Sequence, residues 1–536
     1  MSVFERAPAP ADAAAAAAGK GPAPAPAREE PPGPPPAVVV LAPAALTVVL
    51  GLWGIRRQNT MWGDESVTCQ LAHRDLAQIW RTARHVDLVH SLYYTVMHEL
   101  FRLFGGGLLT LRLPSVLAMA AAAGWVGLLG RRLTGPRTGL LAGLVFPLLP
   151  QVQKYAQEGR SYAMVCALIA WATYLLAAGA LPRARRRWAV YGCVMLLACL
   201  LHEFAVLALV AHGATLLVSR VPRPVLKGWG LAAVCVSVGL LPLAVCSVGQ
   251  SEQVSWISGP VRPGYFLVAA AVGGACATVP LGGRGRVRLS ALAVPVLVLP
   301  GLVLLAVSPA VPLFVDRYVV YGNIGLALLL GARIDRFLRR RASSRSTGTV
   351  VVSALAATAL LAALVPASIE LRTPRSRSDN VTAIGAAVRA AGRPGDGLVY
   401  LPGSARVLTA ADPEDTRFLT DLALARDAVS SDTLAGVELP ARTVAARMRA
   451  FDRIVAVRAG SPASADQRDE AKTATLRRCF DPHATTEAGG AHITVYVRKH
   501  HGCLRGPVRR DQQSPVLPSR APWPARPAPA AGRTPG

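Results

Sequence analysis

The chain has 536 residues, 52% of them hydrophobic and only 17% charged, and its 58 Lys and Arg against 31 Asp and Glu give a net charge of +27. A soluble chain of this size carries roughly a quarter charged residues. The deficit here is concentrated in apolar runs of about 18–20 residues, each able to span a bilayer core of ~30 Å, which recur from Val38 to about Pro366. A soluble enzyme, a disordered chain and a fibre are thereby excluded, and the expected class is an α-helical polytopic membrane protein.

In chain order, residues 1–36 form an Ala/Pro-rich tail that cannot bury a core and is expected to be disordered. It lacks a signal-peptide layout, so the first span is expected to stay as an anchor. The membrane domain, 37–366, reads as about eleven spans: 37–55, 107–130, 138–152, 161–180, 188–202, 203–219, 229–249, 264–281, 289–308, 316–332 and 349–366. The stretch 188–219 is either two short spans or one re-entrant excursion broken at His202-Glu203. Cys166, Cys193, Cys199, Cys235, Cys246 and Cys276 fall in these runs, where a thiol behaves as a small hydrophobe.

Alternate loops differ in charge. One set holds 19 Lys and Arg, from Arg131 to Arg345, while the opposite short loops hold four: Lys154, Arg160, Arg262 and Arg317. The arginine-rich set is therefore expected on the cytoplasmic side, with the N-terminus, while the loop 56–106 and everything after about 367 lie outside. Arg56 and Arg57 run against the rule. The positive charge is thus a topology signal, and no nucleic-acid partner is expected.

The loop 56–106 contains two amphipathic helices suited to the membrane interface. "DLAQIWRTA" (75–83) has an Asp75/Gln78 capping-box spacing, and "SLYYTVMHELFRLFG" starts with Ser91 as N-cap, carries a Leu92, Val96, Leu100 and Leu103 stripe, and stops at Gly105. Beyond the last span, residues 367–505 alternate helical patterns ("NVTAIGAAVRAAG", "LPARTVAARMRAF") with β-like runs ("DGLVYLP", "RIVAVRAG", "HITVYVRK"), predicting a small extracytoplasmic α/β domain. Cys479 and Cys503 flank its last β-like run and are expected to form a disulfide, with Cys69 left unpaired. Residues 506–536 are again Pro/Ala/Arg-rich and expected to be disordered.

Polar groups gather on one membrane face. The outer loops hold "MWGDES" (61–66), "RHVDLVHSLYY" (84–94), "KYAQEGRSY" (154–162), "HEF" (202–204) and "FVDRY" (314–318), whereas the inner loops hold mostly Arg, Gly and Pro. A carrier would place polar residues near mid-bilayer, and the span interiors are almost free of charge. An active site at the outer face is therefore expected, with Asp64 and Glu65 directly after the first span. The competing role for Asp64 is a helix cap.

The segments "WGDES", "HVDLVHSLYYTVMHELFRLFG", "LRLPSVLA", "YAQEGRSYA", "HEFAVLALVAH" and "DRYVVYGNIGLALLLGAR", in that order, resemble actinobacterial membrane glycosyltransferases of the GT-C fold. They are similar to the superfamily of protein O-mannosyltransferases and aminoarabinose transferases. The resemblance implies transfer of a sugar, mannose, from a polyprenyl-phosphate donor to an envelope glycan, lipid or protein acceptor, with inversion. An acceptor hydroxyl must lose its proton as it attacks, which calls for a positioned carboxylate: Asp64 is the expected base, with Glu65 holding the acceptor or sharing the site. The departing phosphate calls for fixed cations, Arg160 and Arg317 with Lys154 as a third, assisted by Tyr162 and Tyr318. Asp87, His90, Tyr94, Glu158, His202 and Glu203 are candidates for the sugar or acceptor, some of them for a divalent metal, although His202-Glu203 lacks the second histidine of a zinc motif. A structural Arg160–Glu158 ion pair rivals the catalytic role of Arg160. The alternative functions are a lipid-linked glycan flippase and a non-catalytic envelope scaffold.

Overall fold

The computed structural model describes residues 33–179, 185–250, 263–277, 287–311, 313–342, 362–460, 466–500 and 503. Nearly all of the expected N-terminal tail, the whole C-terminal tail and most of the expected span 349–366 lie outside the described residues.

Helix α1 (Pro36–Leu52) starts with proline at its first position, where the missing N–H costs nothing. It packs against α5 (Leu108–Leu133) and α6 (Pro136–Val145), and α5 packs in turn against α8 (Tyr162–Gly179). Between apolar helices in lipid the attraction is close packing rather than burial from water, so small residues sit at the crossings. A Cβ on Gly127 would collide with the Val39 carbonyl oxygen, and one on Gly331 with the backbone of Ala142. Helices α9 (Arg185–Leu201), α10 (Leu207–Val218), α11 (Arg223–Val248), α12 (Gly264–Cys276), α13 (Leu289–Val307) and α14 (Asn323–Ala342) complete the bundle. Leu231, Val234, Val238, Leu241 and Val245 on α11 are exposed, as befits a face meeting lipid tails.

Among the described residues, four helical stretches are long and apolar enough to cross a bilayer: Pro36–Asn59, Leu108–Leu133, Arg223–Val248 and Leu289–Val307. The others are shorter, broken or, like α14, charged over their second half. The expected span 138–152 divides into α6, a 3-10 turn at Phe146–Leu148 and α7 (Pro150–Ala156), because Pro147 and Pro150 interrupt the backbone ladder. The stretch 188–219 is two helices, α9 and α10, separated by His202 in extended conformation and a 3-10 turn at Glu203–Val206. The expected span 316–332 begins late: Asp316–Gly322 is a 3-10 segment, and α14 starts at Asn323.

In the first loop, α2 (Gly63–Ala72) and α3 (Leu76–Ala83) precede α4 (Ser91–Phe104). Asp75 and Gln78 make the reciprocal capping box. Ser91 is not the N-cap of α4; it is the first helical residue, behind a 3-10 turn at Leu88–His90. The buried stripe of α4 is also rotated from the expected one. Tyr93, Tyr94, Met97 and Phe101 face inward while Leu103 is exposed, because the aromatic residues fill the space against α2 and α5.

The C-terminal portion begins with a helix at 362–370, α15, and builds a five-stranded sheet in the order β2-β1-β5-β7-β6. Strand β1 (Gly397–Leu401) runs parallel to both β2 (Thr420–Asp421) and β5 (Arg453–Ala459). Strands β6 (Phe480–Ala488) and β7 (Ala491–Arg498) form an antiparallel hairpin, β7 pairing with β5. A small antiparallel pair, β3 (Leu424–Arg426) with β4 (Val437–Glu438), lies apart from the main sheet. Helix α16 (Val381–Ala391), capped by the Asn380 side chain, helix α17 (Ala441–Met448) and helix α18 (Gln467–Cys479) accompany the strands. Cys479 and Cys503 are joined by a disulfide.

Candidate active site

The site is built from the turn between α1 and α2. Arg57, Gln58 and Asn59 all adopt left-handed backbone angles, with φ of 42°, 56° and 61°, which costs an L-residue roughly 1–2 kcal/mol each. Buried polar contacts hold this turn. Arg112 of α5, fully buried, donates to the carbonyls of Ile55 and Thr60 at 2.6 Å and grips both carboxylate oxygens of Glu65 at 2.7 Å. Arg57 reaches the same carboxylate at 2.7 Å, and the Gly159 amide donates to it at 3.0 Å. Burial opposes the charge on Glu65, but Arg112, Arg57 and the Gly159 amide hold its carboxyl at about 2. The anomalous charge of Arg57 is thereby explained: it neutralises a buried carboxylate instead of marking topology. Glu65 has no exposed surface and is a structural clamp, so the role of holding an acceptor does not fit it.

Asp64, one residue earlier on α2, points elsewhere. Its Oδ2 lies 3.5 Å from Arg317 Nη2 and 3.9 Å from Arg160 Nε, and no hydrogen bond reaches it. Its side chain keeps 28% of its surface exposed, against 7% for Arg160 and 12% for Arg317. Arg317 comes from the 3-10 segment before α14 and sits 5.7–5.8 Å from the ring centres of Trp62, Tyr162 and Tyr318. Arg160 follows the tight turn at Glu158-Gly159, which Ser115 Oγ fixes through the Glu158 carbonyl at 2.6 Å and Thr68 Oγ1 through the Gly159 carbonyl at 3.0 Å.

Behind Arg160 runs a directed chain of hydrogen bonds. Arg160 Nη1 donates to the Tyr94 hydroxyl at 2.9 Å, and Tyr94 donates to Asp87 Oδ2. The other Asp87 oxygen meets His90 Nδ1 at 2.7 Å. Burial works against the Asp87 carboxylate, but His90, Arg160 and Tyr94 hold its carboxyl far below the usual range. Asp87 is itself left-handed, with φ 57°. His90 Nε2 is buried without a hydrogen-bond partner and faces a cluster of rings. The His202 ring centre lies 5.5 Å away and that of Tyr162 6.4 Å, and His202 is 4.7 Å from Tyr318.

The other candidates are placed differently. Glu158 is buried against Arg377 at 3.3 Å, so Arg160 pairs with Asp64 and Asp87 and the rival Arg160–Glu158 pair does not form. Burial raises the Glu158 carboxyl in spite of Arg377 and Lys154. Lys154 lies over the Tyr155 ring at 5.2 Å, and Glu203 accepts from Ser247 Oγ at 2.8 Å. Among the described residues no three His, Cys, Asp or Glu gather as a metal-binding group, and both Asp87 oxygens are already engaged. Sequence reasoning missed Trp62, Arg112, Arg377 and Asp379. Only Arg112 carried a signal, as a charge inside an apolar run.

The fold matches solved structures. The crystal structure of ArnT from Cupriavidus metallidurans bound to undecaprenyl phosphate is similar with a TM-score of 0.53 and 14% identity, over 86% of this chain and 98% of that one. The same protein in its apo state gives a TM-score of 0.51 and 15% identity, over 85% and 97%. Residues 92–247 match the family described as dolichyl-phosphate-mannose-protein mannosyltransferase. That segment holds Arg160, Tyr162 and His202 but neither Asp64 nor Arg317. No curated protein matches the chain.

Proposed function

We propose that the chain is a membrane glycosyltransferase that moves a sugar from a polyprenyl-phosphate donor to an acceptor hydroxyl outside the membrane. The observation that carries this is the partly exposed Asp64 carboxylate set between two nearly buried arginines. The bound undecaprenyl phosphate of the similar ArnT structure supports a polyprenyl-phosphate donor. Mannose is the proposed sugar, in keeping with the family matched by residues 92–247.

In this mechanism Asp64 takes the proton of the acceptor hydroxyl as its oxygen bonds to the anomeric carbon. The bond from that carbon to the phosphate oxygen breaks, its electron pair leaves on the lipid phosphate, and configuration inverts. Arg160 and Arg317 neutralise the second negative charge that then develops on the phosphate. Without donor, both arginines ion-pair with Asp64; a phosphate taking their charge frees the carboxylate to act as base. Tyr162, Tyr318, His202 and His90 pack together as a cluster of rings beside the arginines, a surface suited to the apolar face of a sugar.

The test is transfer of label from radiolabelled polyprenyl-phosphate mannose to envelope acceptors by purified protein. Asp64→Asn keeps size and hydrogen-bonding reach but removes the base, so turnover should fall by at least ~10²-fold with donor binding little changed. Near-full turnover of Asp64→Asn with a defined donor would falsify the assignment.

A further inference from the structure

The turn that delivers Asp64 is held at both ends by one strap from far downstream, residues 372–382. At its start, Arg372 donates to the carbonyls of Leu50 and Trp53, at 2.7 and 2.8 Å, and stacks on the Trp53 ring with 4.0 Å to its centre. A cation thus satisfies the C-terminal carbonyls of α1. At the other end, Asp379 Oδ1 accepts the Gly63 amide at 2.7 Å, the first amide of α2. The sequence-adjacent cap position of α2 is Trp62, whose side chain makes no cap. The charge signs match the helix dipoles: positive at the C-terminus of α1, negative at the N-terminus of α2.

The strap is itself anchored. Met61 and Val381 exchange contacts, with Val381 N donating to Met61 O at 2.9 Å and Met61 N to Thr382 Oγ1 at 3.1 Å. Asn380 N donates to Gly489 O at 3.0 Å in the β6–β7 turn, and Arg377 is buried against Glu158. Seating is tight at Gly63, where a Cβ would stand 3.0 Å from Asp379 Oδ2. Charge supports closeness: burial first, then Asp64 and Glu65, push the Asp379 carboxyl up to about 6.

We propose that Asp379 is a positioning residue for the base: by docking the first amide of α2 it fixes Asp64 between Arg160 and Arg317, making turnover depend on the C-terminal strap. The inference rests on Asp64 being the base. Helix termini fray within the first turn, and Asp64 is the residue after Gly63. Glu65 stays locked by Arg112 and Arg57. Loss of Asp379 therefore loosens Asp64 while the rest of α2 remains in place.

The experiment uses the full chain and radiolabelled polyprenyl-phosphate mannose as the probe, with kcat and donor KM measured separately. Asp379→Ala should lower kcat about tenfold and move donor KM by less than about twofold, as expected for a misplaced base with intact phosphate contacts. Asp379→Asn retains the accepting oxygen and should recover kcat to within about threefold of wild type. Gly63→Ala, which pushes the carboxylate away, should reproduce the loss, and carries the test alone if Asp379→Ala does not survive purification. Combined with Asp64→Asn, either change should add nothing further, because it acts through a base already removed. Additive losses in that cycle, an unchanged kcat in both Asp379→Ala and Gly63→Ala, or no recovery in Asp379→Asn would overturn the proposal. Full activity of Asp64→Asn alone is a separate result, and it sinks the base assignment itself.

Discussion

At the residue scale, two adjacent carboxylates with the same sequence credentials have opposite fates. Glu65 is consumed by Arg57, Arg112 and the Gly159 amide, while Asp64 faces Arg160 and Arg317 and keeps 28% of its side chain exposed. Removing one partner of a buried ion cluster strands the others, at a cost of about 3–5 kcal/mol. Glu65→Ala is therefore expected to lower the thermal unfolding midpoint sharply, while Asp64→Asn leaves it nearly unchanged; equal midpoints would contradict the division of roles. Arg160→Ala should weaken donor binding as well as turnover, and isothermal titration with a polyprenyl phosphate would read this directly. The identity of the polar residues was legible in the sequence, since Asp64, Asp87, His90, Arg160, His202 and Arg317 do come together. Their partnerships were not. Nothing local tells that Glu65 turns inward, because the deciding group, Arg112, is 47 residues away and looks like a stray charge in an apolar run.

At the scale of elements, α2 is unusual in receiving its N-terminal anchor from a residue 316 positions later in the chain. The Asp379 carboxyl, pushed up to about 6 by burial, Asp64 and Glu65, would in an unfolded chain titrate near 4. A raised folded value means that the contribution to stability is complete below about pH 4 and is lost as pH rises through about 6. The unfolding midpoint should fall between pH 5 and pH 7, and Asp379→Asn should flatten that part of the profile. A profile of the same shape in the variant would show that some other group titrates. The helical periodicities that set α3 and α4 were readable, including the capping box at Asp75, whereas α2 was not among the expected helices. The rotation of α4 was not, since Tyr93 and Tyr94 compete with the leucines for the inward face and only neighbouring helices decide. Strand β6 was missed for a different reason: after Phe480 it is exposed along nearly its whole length, so it has no alternation, and Pro482 sits beside an irregular register.

At the scale of the whole molecule, the apolar runs foretold a multi-pass bundle and the alternating helical and β-like patterns after it a small sheet domain, and both are present. Span number was harder to read than span existence, because Pro147, Pro150 and the His202 break make short helices out of continuous apolar sequence. The charge asymmetry of the loops predicts a cytoplasmic N-terminus and an external C-terminal portion. Reporter fusions after about residue 345 and after about residue 375 should then report opposite sides of the membrane. The same side for both would detach the site from the external face and, with it, the proposed acceptor.

The two anchors of the α1–α2 turn also impose an order in time. A ribosome makes Arg57 and Glu65 first, Arg112 only after the loop has passed, and Asp379 after every helix of the bundle. Until α5 arrives, the left-handed turn lacks the Arg112 contacts, and until the strap closes, the first turn of α2 lacks the Asp379 acceptor. On the proposed role of Asp64, the site is therefore completed only after the bundle helices have been made, when the strap carrying Asp379 reaches the first turn of α2.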